Sequence, residues 1–170
     1  MDSRSLKPPP WITFWFLLTA PVIFWTASFS LLKSMLMQFE YLAWVWRPYS
    51  HYQEIDKVGC PIPRNIMPLL NIVETSLALI YLRLVYLKDV PPRSAPVYGF
   101  SSAIMTFSKS SLFFSQQYFC NYCDIGHNGK KGIMTWLFFN GLWLVFSGCI
   151  TRVLGRQIIH SLEEGEESRD

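Results

Sequence analysis

Two side chains of opposite charge lie within otherwise apolar stretches. Glu74 is near the middle of the run 65–87, and Lys109 is near the centre of the run 97–120. An ionisable group at membrane depth costs about 2.5–3.5 kcal/mol even on lenient scales, so two such groups on neighbouring spans are expected to face each other. Two interpretations stay open: a structural ion pair that fixes helix packing, or a polar site in an apolar cavity.

The two interpretations predict opposite protonation states for Glu74. A buried carboxyl without a partner favours the protonated form, which can act as a general acid or base at neutral pH. A carboxylate paired with Lys109 stays ionised and is a poorer acid. The contacts of Glu74 therefore bear directly on any chemistry.

The last apolar run adds polar and aromatic side chains at helical spacing. Asn140, Trp143 and Ser147 are spaced i, i+3, i+7, so they share one helix face. A buried amide is costly without partners, so this face is expected to look into the protein interior, with the Phe, Leu and Val faces turned to lipid. An indole beside a buried amide suits a hydrophobic ligand that is transiently cationic.

The composition predicts a membrane protein. The chain has 170 residues, of which 51% are hydrophobic and 16% are charged. A soluble domain of this size cannot bury 13 Phe, 8 Tyr and 7 Trp. The net charge of +3 comes without a basic stripe, which argues against nucleic acid as a partner.

The periodicity and length of the apolar runs predict an all-α integral membrane four-helix bundle in a single domain, residues 11–159. Pro21 is expected to kink the first span. The region 33–64 is predicted as an amphipathic loop at headgroup level, either a plain interfacial segment or a lid. The predicted spans are 11–32, 65–87, 97–120 and 132–154, with a disordered leader at 1–10 and an acidic, frayed tail at 160–170.

The cysteines leave several readings open. Cys120, Cys123 and His127 have Cys-x2-Cys-x3-His spacing, and Cys60 falls in the loop on the same side. Four zinc ligands could thus be counted, but the spacing is weak evidence, so the prediction is no metal and no cofactor. A lumenal disulfide involving Cys60, or plain interfacial cysteines, are the alternatives.

Three segments of the sequence are similar to one family. They are NIVETSL at 71–77, GHN at 126–128 and NGLWLVFSG at 140–148. They resemble the emopamil-binding-protein superfamily, built on the EXPERA domain, which includes sterol isomerases and the sigma-2 receptor. The likeness covers about 19–159 and is greatest to small fungal members, several of which lie in secondary-metabolite pathways.

The resemblance implies a site and an activity. Glu74 matches the acid of the second family helix, and Asn140 and Trp143 match the Asn and Trp of the last, so these three are the predicted catalytic residues. Where relatives carry an acid in the first helix, this chain has Thr26. Between Trp11 and Phe39 there is no Asp, Glu or His. The predicted pocket residues are Thr26, Asn71, Lys109 and Ser147.

The expected function is a cofactor-independent isomerase or cyclase for an isoprenoid- or polyketide-derived substrate in the endoplasmic reticulum membrane. The alternatives are a non-catalytic binder of sterols or cationic amphiphiles, as in the sigma-2 receptor, and a purely structural membrane partner. The expected partners are a hydrophobic small molecule and the lipid bilayer; a homodimer stays open. The distribution of Lys and Arg favours cytosolic termini.

Overall fold

The described part of the chain forms four long helices. The computed structural model describes residues 8–36, 66–87, 92, 94–123, 125–126 and 129–167. The helices are α1 (Pro10–Leu36), α2 (Ile66–Tyr86), α3 (Ala95–Phe119) and α4 (Lys130–Glu167). This confirms the predicted all-α four-helix architecture. The leader up to residue 7 and residues 37–65, most of the predicted amphipathic loop, lie outside the described residues.

Neighbouring helices run antiparallel, in up-down-up-down order. The start of α1 meets the end of α2, where the hydroxyls of Thr13 and Tyr86 are 2.6 Å apart. The start of α3 meets the end of α4, where Gly99 lies beside Leu154. Aromatic rings of α1 and α4 close the bundle, with contacts between Trp11 and Phe146, Trp15 and Phe146, and Trp15 and Trp143.

The chain is an integral membrane protein. Helices α1, α2 and α4 are each long and apolar enough to cross a bilayer, and they carry exposed rings such as Phe14, Phe24 and Phe138, as expected for lipid-facing surfaces. The third predicted span also forms a helix, but α3 does not reach the same apolarity within its described residues. Four of its polar side chains are turned inward, because Ser102, Thr106, Ser110 and Gln117 are buried.

The C-terminal end of α4 corrects one expectation. Residues 160–167, predicted as part of a frayed tail, continue the helix to Glu167. The sequence between Gly155 and Glu167 contains good helix formers such as Gln, Leu and Glu and no proline. His160 and Glu164 also form an i, i+4 contact of 3.9 Å on the exposed surface.

Small residues on α3 allow α2 and α4 to approach it closely. Gly99 is the tightest point, because a Cβ added there would lie 2.8 Å from Cδ1 of Leu154 and 3.0 Å from Cγ of Tyr81. Both neighbours are fully buried. In a bilayer, where lipid is as apolar as leucine, this close packing replaces the hydrophobic effect as a source of helix association.

Gly99→Leu is therefore expected to destabilise the bundle by about 1–3 kcal/mol, because the new side chain has to displace two packed neighbours. Gly141→Leu is the matched control on α4, since a Cβ there meets nothing within 4 Å. Thermal unfolding in detergent measures both. Equal midpoints for the two variants would contradict the close packing at Gly99.

Candidate functional site

The centre of the site is an ion pair between α2 and α3. Glu74 is 2% exposed, and the Lys109 ammonium donates to both of its carboxylate oxygens, at 2.9 Å to Oε1 and 2.8 Å to Oε2. The Lys109 side chain is 16% exposed, so Lys109 is the more accessible partner of the ion pair. Desolvation makes a buried pair a weak source of net stability, but losing either partner would leave a costly lone charge.

Further donors surround the pair. The Thr106 hydroxyl lies 3.1 Å from Oε2 of Glu74, and Ser102 donates to the backbone carbonyl of the same residue at 2.8 Å. Lys109 also donates to Oδ1 of Asn71. All three ammonium hydrogens thus have acceptors. We call these five residues the polar network; its geometry matches an ionised carboxylate, the second of the two protonation states considered above.

The positions of the polar network follow from helical periodicity. Asn71 and Glu74 are three residues apart on α2, and Ser102, Thr106 and Lys109 are spaced i, i+4, i+7 on α3. Each set therefore occupies one helix face. The antiparallel packing of α2 on α3 brings the two faces together.

A cavity of about 20 Å³ lies next to Glu74, between all four helices. Its polar lining consists of Thr19, Glu74, Thr75, Ser102 and Thr106, and its apolar lining consists of Trp15, Phe16, Ala20, Ile23, Ala78 and Trp143. The carboxylate and the hydroxyls thus share one small chamber with two indoles.

The two indoles form a supported aromatic wall. Trp15 and Trp143 make an edge contact with ring centroids 5.4 Å apart and planes at 65°. Phe146 stacks on Trp15 at 4.2 Å with planes within 3° of parallel. Such packing holds the rings in place, and the electron-rich face of an indole attracts positive charge.

The structure brings together four of the predicted site residues. Glu74 and Trp143 line the cavity, while Asn71 and Lys109 contact one another and belong to the polar network. The predicted pairing of Glu74 with Lys109 is thus observed. Whether Glu74 and Trp143 carry out chemistry stays a prediction.

The other three predicted residues lie elsewhere on their helices. Thr26 donates to the carbonyl of Ile23 at 3.0 Å, Asn140 to that of Trp136 at 3.0 Å, and Ser147 to that of Trp143 at 2.5 Å. The described lining of the cavity includes none of them. Each of these side chains donates a hydrogen bond to a backbone carbonyl of its own helix. Its position within the membrane therefore does not require it to face the cavity. Their predicted roles stay untested.

Sequence reasoning missed several lining residues. Trp15 is not among the predicted site residues, yet its ring lines the cavity, and on α1 it is Thr19, not Thr26, that contributes a hydroxyl to the lining. Ser102 and Thr106 share the helix face of Lys109, and that periodicity was a usable signal. No comparable signal marks Thr19, because its helix has no charged residue nearby.

The turn between α3 and α4 resolves part of the cysteine question. Cys120 and Cys123 form a disulfide. The intervening Asn121 and Tyr122 adopt left-handed backbone conformations with φ of 54° and 60°. Two sulfurs joined to each other do not act as zinc thiolates. Cys60 and His127 lie outside the described residues, as does any pairing that involves them.

The fold and site together define a class: an integral membrane helical bundle with a buried acid–base pair beside a tryptophan-lined cavity. Comparison of the chain with protein-family models, curated proteins and solved structures finds no match.

Proposed function

We propose that this protein is a membrane-embedded isomerase or cyclase that acts without a cofactor on an apolar, isoprenoid- or polyketide-derived substrate. The observation that carries the proposal is the shared cavity of Glu74, Trp15 and Trp143. Moving a double bond through a cation requires a group that exchanges a proton and a surface that tolerates positive charge. The likeness of three segments to the EXPERA family supports the same reaction class.

Glu74 and Lys109 would supply the proton. Their bidentate contact holds one transferable proton, which is on nitrogen in the ionised pair and on oxygen in the neutral pair. Protonation of one alkene carbon and removal of a proton from a neighbouring carbon returns the pair to its starting state. A positioned acid or base of this kind contributes about 10²–10⁴-fold to a rate.

The two indoles would stabilise the cationic intermediate. Their faces are fixed by packing before substrate arrives, so little reorganisation is needed when charge develops. A cavity of about 20 Å³ has room for one water molecule, so an isoprenoid has to part the helices to enter. The apolar outer faces of α1 and α4 suit entry from the bilayer.

Proton exchange with solvent tests this proposal. Purified protein in lipid nanodiscs would be incubated in D2O with a panel of sterol and linear isoprenoid olefins, followed by mass spectrometry. An isomerase incorporates deuterium at carbon in at least one olefin. Absence of incorporation across the panel, with folded protein, would argue for the alternative below.

The alternative is a non-catalytic binder of sterols or cationic amphiphiles, as in the sigma-2 receptor. It is favoured by one observation: Lys109 and Thr106 already contact Glu74 as they would an ionised carboxylate, and the described lining holds no second acid. Thermal stabilisation by sterols or by hydrophobic amines, without deuterium incorporation, would support this function instead.

We also propose that the chain resides in the endoplasmic reticulum membrane. The start of α1 and the end of α4, which lie at the opposite end of the bundle from the disulfide, would face the cytosol. Disulfides persist in oxidising compartments, and the Cys120–Cys123 turn lies between α3 and α4. The antiparallel order puts the start of α1 and the end of α4 on the opposite side of the membrane.

This orientation predicts the outcome of glycosylation mapping. An N-glycosylation acceptor on a Gly/Ser linker, inserted at Gly129, is expected to be glycosylated in microsomes because it faces the lumen. The same cassette after Asp170 is expected to stay unmodified. The reverse pattern, measured by an endoglycosidase-sensitive mass shift, would refute the orientation.

A further inference from the structure

Two buried hydroxyls in the described part of the chain, those of Thr75 and Tyr81, have no hydrogen-bond partner, and of the two Thr75 lines the cavity. Thr75 is 6% exposed and lines the cavity, yet its Oγ1 has no hydrogen-bond partner within the described part of the chain. By contrast, Thr19, Ser76 and Thr151 donate to carbonyls of their own helices. A buried hydroxyl without a partner is costly, so this one calls for a ligand with polar atoms.

The carboxylate beside it has acceptor capacity left. An ionised carboxylate offers about four lone-pair sites. Lys109 occupies one on each oxygen and Thr106 contacts a third, which leaves about one site on Glu74. The Lys109 ammonium itself has three acceptors already, two on Glu74 and one on Asn71.

The size of the cavity restricts the ligand. About 20 Å³ exceeds the roughly 10–15 Å³ that one water requires and is too small for an organic molecule. A buried water needs two to four polar partners, and Thr75, Glu74 and the lone pairs of the Thr19 hydroxyl provide them.

We infer that the cavity binds a single ordered water molecule, which accepts a hydrogen bond from Thr75 and donates one to Glu74. The water gives the Thr75 hydroxyl its partner and fills the remaining acceptor site of the carboxylate. Trp15 and Trp143 line its apolar side. Thr75 is thus a positioning residue that holds the water against the acid.

The water also has a role that rests on the proposed function. A single acid has to deliver a proton to one carbon and collect it from another, and a bound water extends its reach by about one hydrogen-bond length. In the neutral form of the pair, in which Lys109 has given a proton to Glu74, the acid passes that proton to the water while the water gives one of its own to the alkene carbon. The carboxylate then takes a proton from the neighbouring carbon of the cation, so water and acid are both regenerated.

Three Thr75 and Thr151 variants test the water site. Crystals of wild type in a lipidic phase are expected to show a density peak within about 3.2 Å of Oγ1 of Thr75 and of the Glu74 carboxylate. Thr75→Val is expected to remove the peak and lower the melting temperature by several degrees relative to Thr151→Val, whereas Thr75→Ser retains both. A missing peak in wild type, or a melting temperature raised by Thr75→Val, would overturn the site.

The relay has a separate readout. In the D2O assay, Thr75→Val is expected to slow deuterium incorporation about tenfold or more, with recovery in Thr75→Ser. Unchanged deuterium incorporation in Thr75→Val would overturn the relay. The crystallographic density peak would still decide whether the water site exists. A wild type that incorporates no deuterium would instead refute the proposed function, and the density peak and melting temperatures would still judge the site.

Discussion

Glu74→Gln is expected to lower the rate of deuterium incorporation into the olefin substrate by about 10²–10⁴-fold. The amide is nearly isosteric with the carboxyl, but it neither accepts nor releases a proton at neutral pH. The variant leaves the Lys109 charge without its counter-ion, but the amide oxygen still accepts one hydrogen bond from Lys109, which limits the loss of stability. The measurement is the initial rate per folded protein, with the folded fraction taken from size-exclusion chromatography in detergent.

Glu164→Gln is the matched control, because it removes a carboxylate from the exposed part of α4, where the Glu164 side chain is 41% exposed. That variant is expected to keep the wild-type rate. Retention of activity in Glu74→Gln would exclude a proton-transfer role for the buried acid and leave the ion pair with a structural one.

Lys109→Met is expected to destabilise the protein by about 3–5 kcal/mol, because it leaves the buried Glu74 carboxylate without its counter-ion. Methionine keeps much of the length of the lysine side chain, so the loss of charge dominates the loss of packing. Chemical or thermal unfolding in detergent measures the effect.

The double variant Glu74→Gln with Lys109→Met separates stability from chemistry. It removes both charges, and replacing a buried pair in this way is often neutral or stabilising. We expect most of the stability to return while deuterium incorporation stays lost. A double variant as unstable as Lys109→Met alone would show that the two side chains do not act as a pair.

The pairing of α2 with α3 was open to prediction from sequence because charge is rare at membrane depth. In an apolar environment Glu74 and Lys109 each have few possible partners of opposite charge, so their pairing can be predicted from the sequence. The pairing in turn defines which faces of α2 and α3 meet. Helical spacing then extends the site to Asn71, and it could have extended it to Ser102 and Thr106.

The packing of α1 against α4 was not open to prediction in the same way. Helix α1 has no acid or histidine to mark its inner face, and its axial position depends on ring contacts such as Trp15 on Phe146. Those contacts place Thr19, rather than Thr26, beside the cavity. Asn140 shows the complementary problem: a polar side chain that bonds to its own helix gives no information about what lies opposite.

The polar inner face of α3 has a consequence for biogenesis. A helix with a lysine at its centre partitions poorly into lipid when it leaves the translocon alone, since that residue opposes insertion by about 2.5–3.5 kcal/mol. Its countercharge resides on the preceding helix, α2. The two segments therefore enter the bilayer most favourably as a hairpin, with the salt bridge formed before either is released to lipid.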